Sequence, residues 1–464
     1  MAQGLRKDSA KNAGECTVGT SIKPLLGVMR MFLPARKHLM RDRSFAAFSV
    51  VVALLGAGPV HAEVRLIATG SIPGDTRDLS GLSAPIGPDQ PHDLLGGFGS
   101  AIAYTGRGDI YWAATDRGPF DGGAPFRCRV HQFRLVLVPG EGSEVGRLEW
   151  NLLKTVLLSD DAGRPLMGGS GYFDAGQPML GQRFDPEGLR VSRDGHSLYI
   201  SDEYGPFIDE FSLEGVRVRR LAVPEMFMVM HPANSAADEL PPRNTTGRQP
   251  NRGLEGLAIT PDGGTLWAMP QSPLIQDGAI SPTQERTGVN VRTLQLDVKS
   301  GRHAEFVFTL DRPSLGISEI LAVDDHRFLV LERDGRAGAA AKTKHVVLVD
   351  FSGATDVGSL DQLPASGLPA GVTAARKSIF IDLLEKRYGI AGESMPEKIE
   401  GLAFGPVLPD GRRTLVVSSD NDLKPDQPTM LWVFAFSDSD LPGLVPQQFG
   451  VDPDKAASGQ AVTP

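Results

Sequence analysis

The stretch Asp185-Pro-Glu-Gly-Leu-Arg-Val-Ser-Arg-Asp-Gly-His-Ser-Leu-Tyr-Ile-Ser-Asp-Glu203 decides the fold of this chain. A short apolar run follows an acidic residue, the chain turns at Asp194-Gly195, and a second apolar run ends in polar residues. This pattern predicts a β-hairpin with a tight turn. The first strand of the hairpin carries Glu187 and the second ends at Asp202-Glu203.

The same pattern recurs along the chain, which indicates a repeat architecture. Three further copies occupy residues 254–271, 317–334 and 399–422, and a looser copy starts at Asp78-Leu-Ser-Gly-Leu82 and resumes at 110–118. Each full copy has a glutamate near its start: Glu187, Glu255, Glu319 and Glu400. The intervals between these glutamates are 68, 64 and 81 residues, which leaves room for two more strands in each copy.

Strand patterns in those intervals predict four strands per repeat. Residues 207–213 with 216–223, and 291–296 with 304–310, have the required apolar alternation. Four-stranded repeats are typical of propeller blades, so we predict an all-β fold, a single β-propeller. We expect about five blades, with a sixth concealed in the long inserts as the alternative. The last repeat lacks one strand, and residues 63–69 are predicted to close it. One short helix is predicted at 378–388.

The first 62 residues resemble a signal peptide with an extended n-region. Arg41 and Arg43 precede an apolar run over 45–55, and the sequence predicts cleavage before Glu63. The run is too short to span a bilayer comfortably, although a single membrane anchor stays open as an alternative. We therefore predict an exported monomer, periplasmic or secreted, with no membrane span after cleavage. Its propeller domain covers 63–442 and a loosely ordered tail covers 443–464.

Charge and cysteine content exclude several classes of protein. Cleavage would leave 38 basic and 53 acidic residues, a net charge near −15. Such an acidic surface disfavours binding to nucleic acid and suits divalent cations. Cys128 would be the one remaining cysteine, so an internal disulfide and a cysteine-based zinc site are both excluded.

The repeated glutamates are the first candidates for chemistry. Because the first strand of every blade is innermost, these side chains are expected at equivalent points around the central channel. Carboxylates so close together need cations, and calcium prefers such oxygen ligands. The predicted calcium ligands are Glu187, Asp202, Glu255, Glu319, Glu400 and Asp420. Two alternatives stay open: the glutamates tie their strands to neighbouring blades, or they act in acid/base catalysis.

The sequence has no Gly-x-Ser-x-Gly elbow and no His-Glu-x-x-His motif, which disfavours a serine hydrolase or a zinc protease. We therefore predict that Glu187 or Glu203 activates a water molecule. Arg117 and Arg252 are the predicted ligands of an anionic substrate group. Ion pairing within the fold is the alternative role for these arginines.

A set of motifs in this order resembles the phytase-like family, often called "esterase-like activity of phytase". The motifs are Asp78-Leu-Ser-Gly-Leu, Thr115-Asp-Arg-Gly, Phe184-Asp-Pro-Glu-Gly-Leu, Ser201-Asp-Glu-Tyr-Gly-Pro, Asn251-Arg-Gly-Leu-Glu-Gly-Leu, Ser318-Glu-Ile and Lys398-Ile-Glu-Gly-Leu. The resemblance covers roughly 75–440 and implies a β-propeller, export and hydrolysis of esters. The Asp-Asp-Pro-Ala-x-Trp motif of alkaline β-propeller phytases is absent, so phytate is not the expected substrate.

Two functions from different classes follow. The first is an exported, calcium-assisted hydrolase of phosphoric or carboxylic esters, acting on a small anionic substrate. The second is a non-catalytic propeller, stabilised by calcium, that binds a ligand or partner. A lactonase-like or sugar-oxidising propeller enzyme is a third, weaker alternative. Propellers support many unrelated functions, so the fold alone does not separate them.

Overall fold

A computed structural model describes residues 63–174, 176, 181–278, 280–281 and 285–450. Within these ranges the chain is almost entirely β-structure. The first strand is β1 (Arg65–Ile72), and β2 (Pro85–Gly87) and β3 (Gln90–Pro91) form a short ribbon. The predicted signal peptide and residues 451–464 of the predicted tail lie outside the described residues.

Together with β1, the remaining strands form five four-stranded antiparallel blades, and the described residues contain no sixth. Blade 1 comprises β4 (Phe98–Tyr104), β5 (Ile110–Thr115), β6 (Arg129–Val138) and β7 (Gly146–Leu157). Blade 2 comprises β8 (Pro186–Val191), β9 (Ser197–Asp202), β10 (Ile208–Ser212) and β11 (Arg217–Leu221). Blade 3 comprises β12 (Leu254–Ile259), β13 (Thr265–Pro270), β14 (Asn290–Asp297) and β15 (His303–Thr309). Blade 4 comprises β16 (Leu315–Ala322), β17 (Arg327–Asp334), β18 (Lys344–Asp350) and β19 (Arg376–Asp382). Blade 5 comprises β20 (Ile399–Phe404), β21 (Arg413–Ser419), β22 (Thr429–Phe436) and β1.

The blades close into a ring, which confirms the predicted propeller. The inner strands β4, β8, β12, β16 and β20 each contact the inner strands of the two adjacent blades. The N-terminal strand β1 pairs antiparallel with β22 from Arg65 to Ile72 and supplies the outer strand of blade 5, as predicted. It also pairs briefly with β7, so the outer edges of blades 5 and 1 are joined.

Apolar layers between neighbouring blades form the core. One layer lies at each of the five blade interfaces, because alternate residues of every strand point to the two faces of a sheet. Trp267 in blade 3 is buried against Phe328 and Phe351 of blade 4, with ring centroids 4.8 and 5.0 Å away. The inner strands are thereby held rigidly around the channel.

Two local predictions were wrong. The predicted helix at 378–388 is the end of strand β19 followed by a short 3₁₀ turn at Lys386–Tyr388, because pairing with β18 satisfies the backbone. The start of the looser repeat copy, at 78–82, is a loop rather than an inner strand. The inner strand of blade 1 is β4. Asp78 instead accepts a buried hydrogen bond from Arg129 at 2.5 Å.

In the part of the chain that the structure describes, helical structure is otherwise confined to single turns. These are α1 (Pro119–Gly122) and 3₁₀ helices at Glu225–Phe227, Ala236–Glu239, Ile275–Asp277 and Gly338–Ala340. No helix among the described residues is long and apolar enough to cross a membrane.

Residues 443–450, which we call the C-terminal strap, cross the end of the channel at which the inner strands finish. Val445 donates to the Val323 carbonyl at 2.8 Å, Gln448 to Pro261 at 2.8 Å, and Gly450 to Arg193 at 2.9 Å. These acceptors lie in the hairpin turns of blades 4, 3 and 2. The strap therefore links three blades and leaves the opposite end of the channel to the loops that precede the inner strands.

Candidate functional site

The inner strands place three of the four repeated glutamates at the same point. In each of the strands β8, β12, β16 and β20, the register breaks after a paired residue near the start of the strand. Glu187, Glu255 and Glu400 all follow that paired residue and precede a glycine. A Cβ at the glycine Gly256 would lie 2.9 Å from the Ile320 nitrogen of the next blade, so only glycine lets the strands approach this closely. The three glutamates consequently line one end of the channel.

Blade 4 departs from this pattern by one residue. In β16 the register breaks between Ile317 and Glu319, so Ser318 is the counterpart of the glutamates and Glu319 takes the glycine position. Glu319 Oε1 accepts hydrogen bonds from the amides of Leu257 at 3.1 Å and Ile320 at 2.8 Å. Its Oε2 lies 2.9 Å from Nη2 of Arg190 in blade 2. Glu319 therefore does not reach the point expected from the repeat, and it joins three neighbouring blades.

Asp202, another predicted metal ligand, is fully buried beside the loop that follows β9. Its Oδ1 accepts from the amides of Asp185 at 2.8 Å and Tyr204 at 3.1 Å, and its Oδ2 from Gly205 at 2.7 Å. Both oxygens are thus occupied by backbone donors. Asp202 fixes the loop that carries Glu203 and does not line the channel cavity.

The channel end with the three glutamates contains a cavity of about 180 Å³. Among the described residues its lining has no apolar side chain. The lining acids are Asp116, Glu187, Glu203, Glu255, Glu397 and Glu400. The lining cations are Arg117, Arg252, Arg286, Arg333 and Lys398. We call this the charged cavity.

Glu203 and Glu187 lie together in the charged cavity. Carboxylate oxygens of Asp185, Glu187 and Glu203 are all within 4.8 Å of one another, and all three residues are buried. Glu203 Oε2 accepts from Arg117, whereas Oε1 is buried and receives no N–H or hydroxyl donor from the described residues. The Glu203 and Glu255 carboxyl groups are also close enough to share a hydrogen bond when one is protonated.

These carboxyl groups are buried and repel one another. Burial, and next the Glu255 carboxylate, raise the pKa of Glu187 well above its usual range. Burial and the Asp185 carboxylate raise the pKa of Glu203 to about 7, and burial with Glu203 raises the pKa of Glu255. Such a set binds either protons or a cation, because several buried negative charges repel one another.

A second acidic group adjoins the first and includes the predicted ligand Asp420. Oxygens of Asp116, Asp420 and Asp422 lie within 4.8 Å of one another. The ammonium group of Lys398 lies 2.9 Å from Asp420 Oδ2 and also contacts Asp422. Burial raises the pKa of Asp420 to about 6, against the effect of Lys398. A lysine thus supplies the positive charge in this group.

The two predicted anion-binding arginines have different surroundings. Arg117 Nη1 lies 2.7 Å from Asp185 and 3.1 Å from Glu203, and its backbone amide donates to Asp185 at 2.8 Å. Arg252 Nη1 donates to the Ser272 hydroxyl at 2.8 Å and contacts no carboxylate among the described residues. Arg117 therefore positions Asp185 and Glu203, whereas the guanidinium group of Arg252 lines the cavity without a carboxylate contact.

Several residues in or beside the charged cavity were not predicted from the sequence. Asp185 was visible in the repeat, but its pairing with Arg117 depends on two adjacent blades. Arg286 and Glu397 lie in segments between strands, where no periodic pattern indicates orientation. Arg333 donates to the Ser318 hydroxyl at 2.9 Å and contacts Glu400. Its position beside Glu332 in a strand was the only available signal.

Backbone strain concentrates around the charged cavity. The described residues contain six non-glycine residues with positive φ. They are Asp89, Phe120, Asp121, Asn251, Asp422 and Leu423. All except Asp89 follow or precede strands at this end of the channel, next to Arg117, Arg252 and Asp420. Such conformations persist where the surrounding structure enforces them, often at functional sites.

Comparison with known proteins identifies the family of this chain. The profile of the phytase-like family, described as "esterase-like activity of phytase", matches residues 93–423. An "uncharacterized secreted protein" of Arthroderma benhamiae is 29% identical over 459 residues, covering 77% of this chain and 86% of that protein. A solved structure titled "Structure of Dos1 propeller" covers 74% of this chain and 68% of its own at 10% identity, with a TM-score of 0.30. Since the family profile spans most of the propeller, the chain belongs to the phytase-like family.

Proposed function

We propose that this protein is an exported hydrolase that cleaves phosphoric or carboxylic esters in the charged cavity with the assistance of calcium. The description of its family and the secreted relative support ester hydrolysis and export. The observation that carries the proposal is the group of buried carboxyl groups Glu187, Glu203 and Glu255, which line one cavity together and have raised pKa values.

The donor set fits a hard divalent cation. Glu187 and Glu255 would hold calcium, with Glu400 at the equivalent position of blade 5, because carboxylate oxygens are its preferred ligands. Glu319 and Asp202 are occupied by backbone donors and Arg190, so they are not part of this set. When bound, calcium would supply charge screening and polarise the ester oxygen.

Glu203 is the proposed general base. Arg117 fixes one of its oxygens, and the other is free of N–H and hydroxyl donors. In the reaction, Glu203 takes a proton from water while the water oxygen bonds to the phosphorus or carbonyl carbon. The bond to the alcohol oxygen then breaks, and Glu203 returns the proton to that oxygen. Atoms and charge balance with water as the only co-reactant.

A binding function is the second candidate. Arg117, Arg333 and Lys398 already neutralise several acids of the charged cavity, which is the arrangement of a structural ion-pair network. In that case calcium would stabilise the propeller, and no ester would be turned over.

A panel of phosphomonoesters, phosphodiesters and carboxylic esters, assayed with calcium and with a chelator, separates the candidates. We expect calcium-dependent turnover that falls about 100-fold or more in Glu203→Gln, because a general base contributes about 10²–10⁴-fold. Glu214→Gln is the matched control, since Glu214 is exposed in the turn between β10 and β11. Turnover unchanged in Glu203→Gln would contradict the proposed base. A chelator that lowers the melting temperature while no ester reacts would favour the binding function.

A further inference from the structure

Two of the five cations in the charged cavity differ from the rest. Arg117, Arg333 and Lys398 each contact a carboxylate. Arg252 and Arg286 contact no carboxylate among the described residues, although both line the same cavity. They are therefore the two positive charges of this cavity without a directly contacting acid.

Both arginines reach the cavity from loops next to strands of blade 3. Arg252 is half-buried immediately before β12, and Arg286 is exposed in the long segment between β13 and β14. Gly316 of blade 4 lies beside Arg252, since a Cβ at this glycine would lie 3.6 Å from Arg252 Nη1, an ordinary van der Waals contact. Burial, and next the charge of Arg286, lower the pKa of Arg252 to about 10. Two guanidinium groups that repel each other are stabilised by a shared anion.

We propose that Arg252 and Arg286 together bind a dianionic group of the substrate. A single carboxylate would neutralise only one guanidinium, whereas a phosphoryl group or the two carboxylates of a small dicarboxylate would neutralise both. This inference rests on the proposed function in that it defines the substrate of the same cavity. Arg286 then binds the substrate, whereas Arg117 positions the carboxylates of Asp185 and Glu203.

Calorimetric titration of the full chain with inorganic phosphate, succinate and acetate tests this inference. Phosphate or succinate should bind more tightly than acetate, and Arg252→Gln or Arg286→Gln should each weaken that binding by about tenfold or more. Arg412→Gln is the control, because Arg412 is an exposed partner of Asp410 and should leave binding unchanged. Tighter phosphate binding identifies a phosphoryl group, and tighter succinate binding identifies a dicarboxylate.

Two outcomes would overturn the inference. One is acetate binding as tightly as both dianions, and the other is undiminished dianion binding in the Arg252→Gln/Arg286→Gln double variant. The titration needs no turnover, so its failure is distinct from failure of the proposed function. Dianion binding without any ester hydrolysis would contradict the proposed function and leave the anion site in place.

Discussion

The two ends of the propeller channel are built from the same five inner strands and have opposite character. At the start of the strands, the charged cavity of about 180 Å³ is lined by acids and cations. At the other end, a cavity of about 390 Å³ is lined mainly by apolar residues such as Ile259, Leu321 and Phe404, and the C-terminal strap lies over it. Position along the strand, rather than the fold, therefore determines where chemistry can occur.

A buried ion pair separates these two environments. Arg190 donates to the carbonyls of Ile102 at 3.1 Å and Ile320 at 2.8 Å, and it pairs with Glu319 at 2.9 Å. Arg190 also lines the apolar cavity. Glu319, which lies one residue beyond the repeated position, thus forms with Arg190 a partition between the two cavities of the channel.

The largest effect on stability is expected from breaking this partition. Glu319→Ala should lower the free energy of unfolding by about 3–5 kcal/mol, because it leaves the Arg190 guanidinium buried without its carboxylate. Denaturant unfolding measures the loss. Arg376→Gln is the control, since its partner Asp350 lies at the surface and the arginine side chain is 75% exposed. Such a surface pair should contribute less than about 1 kcal/mol. Equal losses in both variants would contradict the role given to Arg190 and Glu319.

A smaller effect is expected from pH at the charged end. The pKa of Glu203 is raised to about 7 in the folded chain, so folding favours its protonated form. Without calcium, its contribution to stability should be complete below pH about 4 and be lost as pH rises towards and through 7. The free energy of unfolding should then be about 1–3 kcal/mol lower at pH 8 than at pH 5, and the melting temperature should be lower at pH 8. Glu203→Gln should reduce the difference. The same difference in wild type and variant would show that Glu203 is not the titrating group.

The sequence predicted the fold well because the repeat specifies both strand pattern and closure. Hairpins with a Glu-Gly-Leu start recur at 187, 255 and 400, and the N-terminal strand β1 supplies the strand that blade 5 lacks. The predicted position of Glu319 was wrong because the repeat was aligned by residue type. In the strand register, Ser318 is the residue equivalent to Glu187, Glu255 and Glu400. The predicted helix at 378–388 was wrong because sheet pairing overrode local preference.

The candidate site was only partly predictable. Glu187, Glu203 and Glu255 do lie in one cavity, whereas Asp202 is consumed by backbone amides that depend on the shape of a loop. Arg286 belongs to a long insert, whose conformation is set by contacts rather than by periodicity. The sequence repeat therefore predicts where the repeated acids lie. It does not predict which cations or backbone amides each acid contacts.

Calcium binding measured by calorimetry tests the central claim, that the charged end is a cation-assisted site, most directly. We expect calcium to bind to the wild-type chain, and Glu187→Gln to weaken this binding by about tenfold or more. Glu319→Gln should leave calcium affinity unchanged, because Glu319 lies in the partition. No calcium binding, or equal affinity in wild type and Glu187→Gln, would contradict the account.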